Sequence, residues 1–398
     1  MNNYTETIRL YDQDSYATSF HAKVLSCIEN KVDDSTSYAV ILDQTLFFPE
    51  EGGQSPDKAI LGNTDVLDVQ IKDGIITHTL SAPLTVGQEI EGTIDWNHRF
   101  SNMQQHSGEH IFSGLVHNKF GFDNVGFHLS DQIVTMDFNG AISNEDIMNI
   151  EYEVNVAISK NVDITVSYPS SEELSNMEYR SKIEIDGPVR IVTITGYDAC
   201  ACCAPHVGKT GEIGGLKVMS VQNYKGGVRI SILCGFRMLQ AFREKADIIN
   251  SLTNYLTTSQ ENLLDIVTKL KSTNQSLSSE LASAKQTLFE QKLSNIPDQQ
   301  IDVILFENCI DSKIARNVVN NLMKKHSGLC GIFIGDDISG YNYIIGSNTI
   351  DCKELSNSLR KKLDVKGGGN NKMIQGSVSS SKNTILDALS QSERLPLL

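Results

Sequence analysis

The chain has 398 residues, 40% hydrophobic and 21% charged, with a formal net charge of -15 and a pI near 5.0. That length exceeds one ordinary domain, and no run approaches the ~18 apolar residues of a membrane span. The acidic balance argues against non-specific nucleic-acid binding, and the opening Met-Asn-Asn-Tyr-Thr-Glu-Thr lacks the basic start and apolar run of a secretory signal.

Cysteines cluster at Cys200, Cys202 and Cys203 and are scattered at Cys27, Cys234, Cys309, Cys330 and Cys352. Without a signal segment these read as reduced thiols, so a cytoplasmic multidomain protein is expected.

Residues 1–95 carry short apolar runs separated by turn signals, such as Ser37–Leu42 and Gly74–His78. Evenly spaced short strands predict a small β-barrel or sandwich. Within them lies Thr45-Leu46-Phe47-Phe48-Pro49-Glu50-Glu51-Gly52-Gly53-Gln54, an aromatic strand running into a glycine turn. Adjacent glycines allow positive φ or close backbone approach to a ligand.

Residues 96–235 alternate helix and strand, an α+β pattern. Gln104 to Lys119 has the helical period, while Val189 to Thr195 and Gly227 to Leu233 read as strands. The helix contains His106-Ser107-Gly108-Glu109-His110, whose histidines share one face at i and i+4. Cys202-Cys203-Ala204-Pro205-His206 supplies a second pair on a turn, since Pro205 opposes regular helix. Together these are the nitrogen and sulfur ligands of a tetrahedral zinc site. Glu109 directly precedes His110 instead of following the first histidine, so the metalloprotease signature is absent.

Residues 236–296 repeat in sevens. Phe242, Ile249, Leu256, Leu263, Leu270, Leu277 and Ala284 form one row, and Ala246, Thr253, Gln260, Val267, Asn274, Leu281 and Leu288 the other. No Gly or Pro interrupts, which predicts a long coiled-coil helical arm, with room for a turned-back or partner helix.

Residues 297–398 resume strand–helix alternation, predicting an α/β domain: strand Ile301–Phe306, helix Ser312–Lys325, strand Gly328–Ile334 and helix Cys352–Leu363. Positive charge gathers at Lys324-Lys325 and Arg360-Lys361-Lys362. Lys366-Gly367-Gly368-Gly369 and Lys372 follow, read as a glycine-rich loop without the spacing of a P-loop or Rossmann motif.

Taken in order, FFPEEGGQ, MQQHSGEH, CCAPHVGKTGEIG, the heptads and GGGNNKMIQG resemble the editing half of alanyl-tRNA synthetase. More closely they resemble its free-standing relatives, the long AlaX-type alanyl-tRNA editing proteins. The match runs from about Thr45 to the C-terminus. Glu51 stands where many members have a glycine, and Cys203 and Pro205 replace Gly and Thr of the common CGGTH.

The resemblance implies an α+β fold in four parts. These are an N-terminal β-barrel (1–95), a zinc-binding editing domain (96–235), a helical arm (236–296) and a C-terminal DHH-associated tRNA-binding domain (297–398). It implies one Zn2+ on His106, His110, Cys202 and His206. It also implies a substrate pocket at Thr45, Gly52, Gly53 and Gln54, with Glu109 and Gln54 as catalytic candidates. Lys366, Gly367, Gly368, Gly369 and Lys372 would touch tRNA. The implied activity is zinc-dependent trans-editing: hydrolysis of tRNA(Ala) mischarged with serine or glycine, because a pocket for alanine rejects small variants poorly. Two alternatives stand beside it, a structural zinc in a non-catalytic tRNA-binding module and a zinc hydrolase of a small-molecule ester. A homodimer through the heptads or the C-terminal domain is the expected assembly, although the seam alone leaves pairing within the chain equally open.

Overall fold

The computed structural model describes residues 5–32, 35–181, 188–308 and 310–392; Cys309 therefore lies outside the described residues. It is a mixed α+β protein in two compact units, residues 1–260 and 261–398.

In the first unit six strands close a barrel in the order Ser19–Val32, Ser35–Leu42, Ile75–Leu80, Thr64–Lys72, Ala59–Leu61 and Glu89–Ile94. Every neighbouring pair is antiparallel. Alternation in Glu89–Ile94 buries every second residue, as a one-sided strand requires. The barrel core holds Phe20, Val40, Leu42, Phe47, Leu61, Val69, Ile76 and Leu80.

Helix α1 (Trp96–Phe120) follows the barrel directly. Asp95 caps its start by accepting from His98 N, and Gly121 at φ 70° ends it in the left-handed conformation. Its middle, Asn102 to Gly114, is buried throughout. It packs with α2 (Asn144–Lys160) and with a four-stranded antiparallel sheet ordered Leu216–Tyr224, Gly227–Cys234, Val134–Phe138 and Asn124–Leu129. Gly108 explains the closeness, since a Cβ there would meet Cys234 Sγ at 2.4 Å. A mid-helix glycine costs about 1 kcal/mol, which this packing offsets. A three-stranded sheet, Ile164–Ser167, Ile191–Ile194 and Asp198–Ala201, leads into the Cys202 loop. The short α3 (Ser171–Ser175) lies between its first two strands in sequence.

The heptad region is two helices rather than one. Helix α4 (Gly235–Leu256) ends at Thr257, φ 50°, and α5 (Leu263–Ser294) begins six residues later. Leu239, Phe242 and Leu252 on α4, and Leu270, Leu277, Leu281 and Leu288 on α5, are exposed.

In the second unit a five-stranded sheet runs Val303–Glu307, Cys330–Asp336, Gly340–Gly346, Met373–Val378, Val365–Gly369. The first pair is parallel and the rest antiparallel. Helix α6 (Ser312–Lys325) and Phe289 of α5 build one core with it. Helices α7 (Cys352–Lys362) and α8 (Lys382–Ser390) build another. The glycine triplet, expected as a loop, is instead an edge strand, with Gly367 opposite Gly376 and Gly369 opposite Ile374. A Cβ on Gly369 would sit 2.1 Å from the Met373 carbonyl oxygen, so side chains are excluded there by the pairing itself. No helix among the described residues is long and apolar enough to cross a membrane.

Candidate metal centre and active site

His106 and His110 face the same way from α1, their ring centroids 5.3 Å apart. The loop after Asp198–Ala201 brings Cys202 and His206 against them. Cys202 Sγ lies 3.5 Å from His106 Nε2 and 3.4 Å from His206 Nε2. One ligand atom from each of the four residues lies within 4.8 Å of all the others. Zinc bonds of about 2.3 Å to sulfur and 2.0 Å to nitrogen, at tetrahedral angles, separate S from N by about 3.5 Å. The spacing therefore fits a tetrahedral cation of that size.

The far nitrogen of each histidine is held. His106 Nδ1 meets Gln54 Oε1 at 2.8 Å, His110 Nδ1 meets Asp198 Oδ2 at 3.0 Å, and His206 Nδ1 meets Ser107 Oγ at 3.0 Å. Partners on Nδ1 leave Nε2 for a metal, the arrangement that fixes tautomer and ring orientation at metal sites. Asp198 is itself oriented by Arg180, at 2.7 and 2.8 Å. Burial would raise the Asp198 carboxyl, but hydrogen bonds from His110 and Arg180 hold it below its ordinary value. Burial would also raise the Cys202 thiol, yet the surrounding histidines hold it well below its usual range, favouring the thiolate a metal needs.

Arg190 fixes the ligand loop, donating from Nη1 to the carbonyls of Cys202 at 2.7 Å and Ala204 at 3.0 Å. Of the neighbouring cysteines, Cys200 groups with His110 and Asp198, and Cys203 lies within electrostatic reach of Glu51. Cys202 is thus the cysteine grouped with the three histidines.

Glu109 is buried beside the ligands. Its Oε1 accepts from Ser113 Oγ and Asn124 Nδ2, both at 2.6 Å, and its Oε2 lies 3.9 Å from His110 Nε2. Gly53 brings no side chain to the pocket; a Cβ there would meet the Phe127 carbonyl oxygen at 2.3 Å, and the Phe127 ring stands 4.8 Å from His106. The structure therefore gathers His106, His110, Cys202, His206, Gln54 and Glu109. Thr45 is fully buried in the barrel, with its hydroxyl 3.1 Å from His78 Nε2. Lys366 to Lys372 belong to the second unit. Sequence reasoning missed Asp198, Arg180, Arg190, Ser107, Ser113 and Asn124. Ser107 and Asp198 flank the ligand motifs closely enough to be candidates; the others carry no local signal.

Residues 2–98 match the family of class II (A) tRNA synthetases, and residues 189–231 match the second additional domain of threonyl and alanyl tRNA synthetases. The zebrafish alanyl-tRNA editing protein Aarsd1 (Danio rerio) is 28% identical over 92% of this chain and 93% of its own. AlaX-L, an alanyl-tRNA editing protein of Pyrococcus horikoshii, is 25% identical over 95% and 96%. The chain is a homologue of the free-standing alanyl-tRNA editing proteins. An alanine–tRNA ligase of Ignicoccus hospitalis is 29% identical over 72% of this chain but only 32% of the ligase. Free-standing editing proteins are thus matched end to end, whereas the ligase is matched in part.

Proposed function

We propose that this protein is a trans-editing deacylase, hydrolysing tRNA(Ala) mischarged with serine or glycine. End-to-end similarity to proteins named for alanyl-tRNA editing supports the substrate class. The observation that carries a hydrolytic site is the convergence of four metal ligands with Gln54 and Glu109. His106, His110, Cys202 and His206 would hold one Zn2+, whose contribution when bound is to orient the pocket and add positive charge beside the acyl oxygen. Four protein ligands fill a tetrahedral shell, so the roles below belong to protein groups.

Gln54 gives its Oε1 to His106, and its Nε2 is buried without a hydrogen-bond partner. An N–H left in that state is suited to an acyl oxygen as negative charge develops on it. Glu109 has Oε1 tied down by Ser113 and Asn124, with Oε2 on the side of the ligand nitrogens. In this reading Glu109 takes the proton of the attacking water and passes it to the leaving ribose oxygen. Lys366, Lys372 and the Gly367–Gly369 edge are read as tRNA contacts, the cytoplasm as the location, and a homodimer through the exposed α4 and α5 leucines or the C-terminal unit as the assembly.

The filled ligand shell also favours a second reading, a structural zinc in a non-catalytic tRNA-binding protein. Deacylation of Ser-tRNA(Ala), Gly-tRNA(Ala) and Ala-tRNA(Ala), with and without a chelator, separates the two. Editing requires fast loss of serine or glycine and retention of alanine, abolished by chelation and by His106→Ala. Stoichiometric zinc and tRNA binding with no hydrolysis would establish the non-catalytic reading. Hydrolysis of simple esters alone would point to a small-molecule esterase.

A further inference from the structure

The turn Glu51-Gly52-Gly53-Gln54 closes on itself. Glu51 N donates to Gln54 O at 3.3 Å, and Gln54 N donates to Glu51 O at 3.1 Å. Gly52 and Gly53 take φ of 61° and 85°, positive at both central positions as in a type I′ turn. Residues directly opposite in an antiparallel bridge carry their side chains on one face. Gln54 uses that face to reach His106. Glu51 therefore points to the same side, within electrostatic reach of Cys203, the residue after a candidate metal ligand. A Cβ on Gly52 would lie 3.6 Å from Cys203 Sγ, so the turn packs against the ligand loop.

Two buried atoms on this face have no hydrogen-bond partner: Glu51 Oε2 and Gln54 Nε2. A carboxylate oxygen accepts and an amide N–H donates. Leaving both unmatched is costly, so a ligand with the opposite pair of groups is the natural complement. An α-aminoacyl ester has that pair, a cationic donor on the carbon next to a carbonyl. Arg9 lies within electrostatic reach of Glu51 but makes no ion pair with it among the described residues. The carboxylate is left open to a substrate cation.

We propose that Glu51 receives the α-ammonium group of the aminoacyl ester while Gln54 meets the acyl oxygen. The proposal rests on the deacylase reading and adds what the site recognises before any side chain: the free amino group. Glu51 is then a specificity-determining residue that separates aminoacyl from plain acyl esters.

The test uses the full chain, wild type and Glu51→Gln, on seryl-tRNA(Ala) and on 3-hydroxypropionyl-tRNA(Ala), the same ester without its amino group. The variant should lose about 10- to 100-fold in kcat/KM on the seryl ester, the worth of one charge-assisted hydrogen bond. It should match wild type on the ester lacking nitrogen. Equal losses on both would make Glu51 a loop-shaping residue, and no loss on either would remove it from recognition; each outcome overturns the proposal. Calorimetry with 3′-(serylamino)-3′-deoxyadenosine and its desamino analogue keeps the two readings apart. Preference for the amine in wild type, absent in Glu51→Gln, would sustain the Glu51 assignment even if no ester were hydrolysed. Indifference to the amine would end it even if editing stood.

Discussion

At the scale of single residues, the barrel hides a titrating group that the metal centre does not use. His78 is fully buried, with Nδ1 3.2 Å from the Val40 carbonyl and Nε2 3.1 Å from Thr45 Oγ1. A carbonyl only accepts, so Nδ1 carries the proton and Nε2 accepts from the Thr45 hydroxyl, whose oxygen in turn accepts from Phe47 N. Burial lowers the His78 pKa to about 4. Between about pH 6.5 and 4 the unfolded chain therefore binds a proton that the folded chain refuses. Falling pH must destabilise the fold, by about 1.4 kcal/mol per unit through that window. Urea unfolding of wild type and His78→Gln at pH 7 and pH 5 should show the gap between them change by about 2 kcal/mol in favour of the variant. A gap independent of pH would assign the acid sensitivity elsewhere. The cluster of four candidate ligands was legible because i, i+4 spacing of His and Cys is local. Which group meets which Nδ1 was not, because Gln54 and Asp198 are brought to α1 from distant segments by the fold.

At the scale of elements, the glycine turn depends on a buried ion pair that ties it to α1. Arg99 and Asp57 side chains are both fully buried and paired. Arg99 Nη2 also donates to the Leu46 carbonyl at 2.7 Å, and Asp57 accepts from Phe48 N at 2.7 Å. The segment carrying Glu51 and Gln54 is thereby pinned to the helix carrying His106. Arg99→Met removes one partner and leaves Asp57 buried and unpaired, a change worth about 3–5 kcal/mol of destabilisation. Denaturant unfolding should show that loss, with the double variant Asp57→Asn, Arg99→Met recovering part of it. A loss below about 1 kcal/mol would mean the pair is not stabilising the junction. Strand and helix positions in this region followed from periodicity, but the length of the α4–α5 region did not. The heptad spacing runs through Thr257 without a Gly or Pro to mark the break, and a threonine in the left-handed conformation carries no sequence signal. The glycine triplet misled for a related reason: strand pairing that excludes side chains looks, in sequence, like a loop.

At the scale of the whole molecule, charge is divided unevenly. Residues 1–260 hold 18 Lys and Arg against 34 Asp and Glu, while residues 261–398 hold 16 against 15. The unit with the candidate metal ligands is strongly acidic and would repel a polyanion; the other is balanced and carries Lys366 and Lys372 on an exposed edge. Affinity for phosphate should therefore reside in the second unit, and chemistry in the first. Removing residues 297–398 alone is a poor test, because Phe289 of α5 packs into the core built with Val303, Val319 and Ile332 and would be stranded. A cut after residue 260 follows the boundary between compact units. The shortened protein should bind full tRNA(Ala) at least about 100-fold more weakly at low salt. Its slope of log K against log salt should fall by about 0.9 for each phosphate that the second unit no longer neutralises. Its kcat on a short aminoacylated acceptor-end fragment should be retained, since the ligands, Gln54, Glu109 and Glu51 all remain. Unchanged tRNA affinity and salt slope would place the phosphate-binding cations on the acidic unit. That outcome would require its exposed cations to be grouped on one face against a net surplus of 16 negative charges, 34 minus 18.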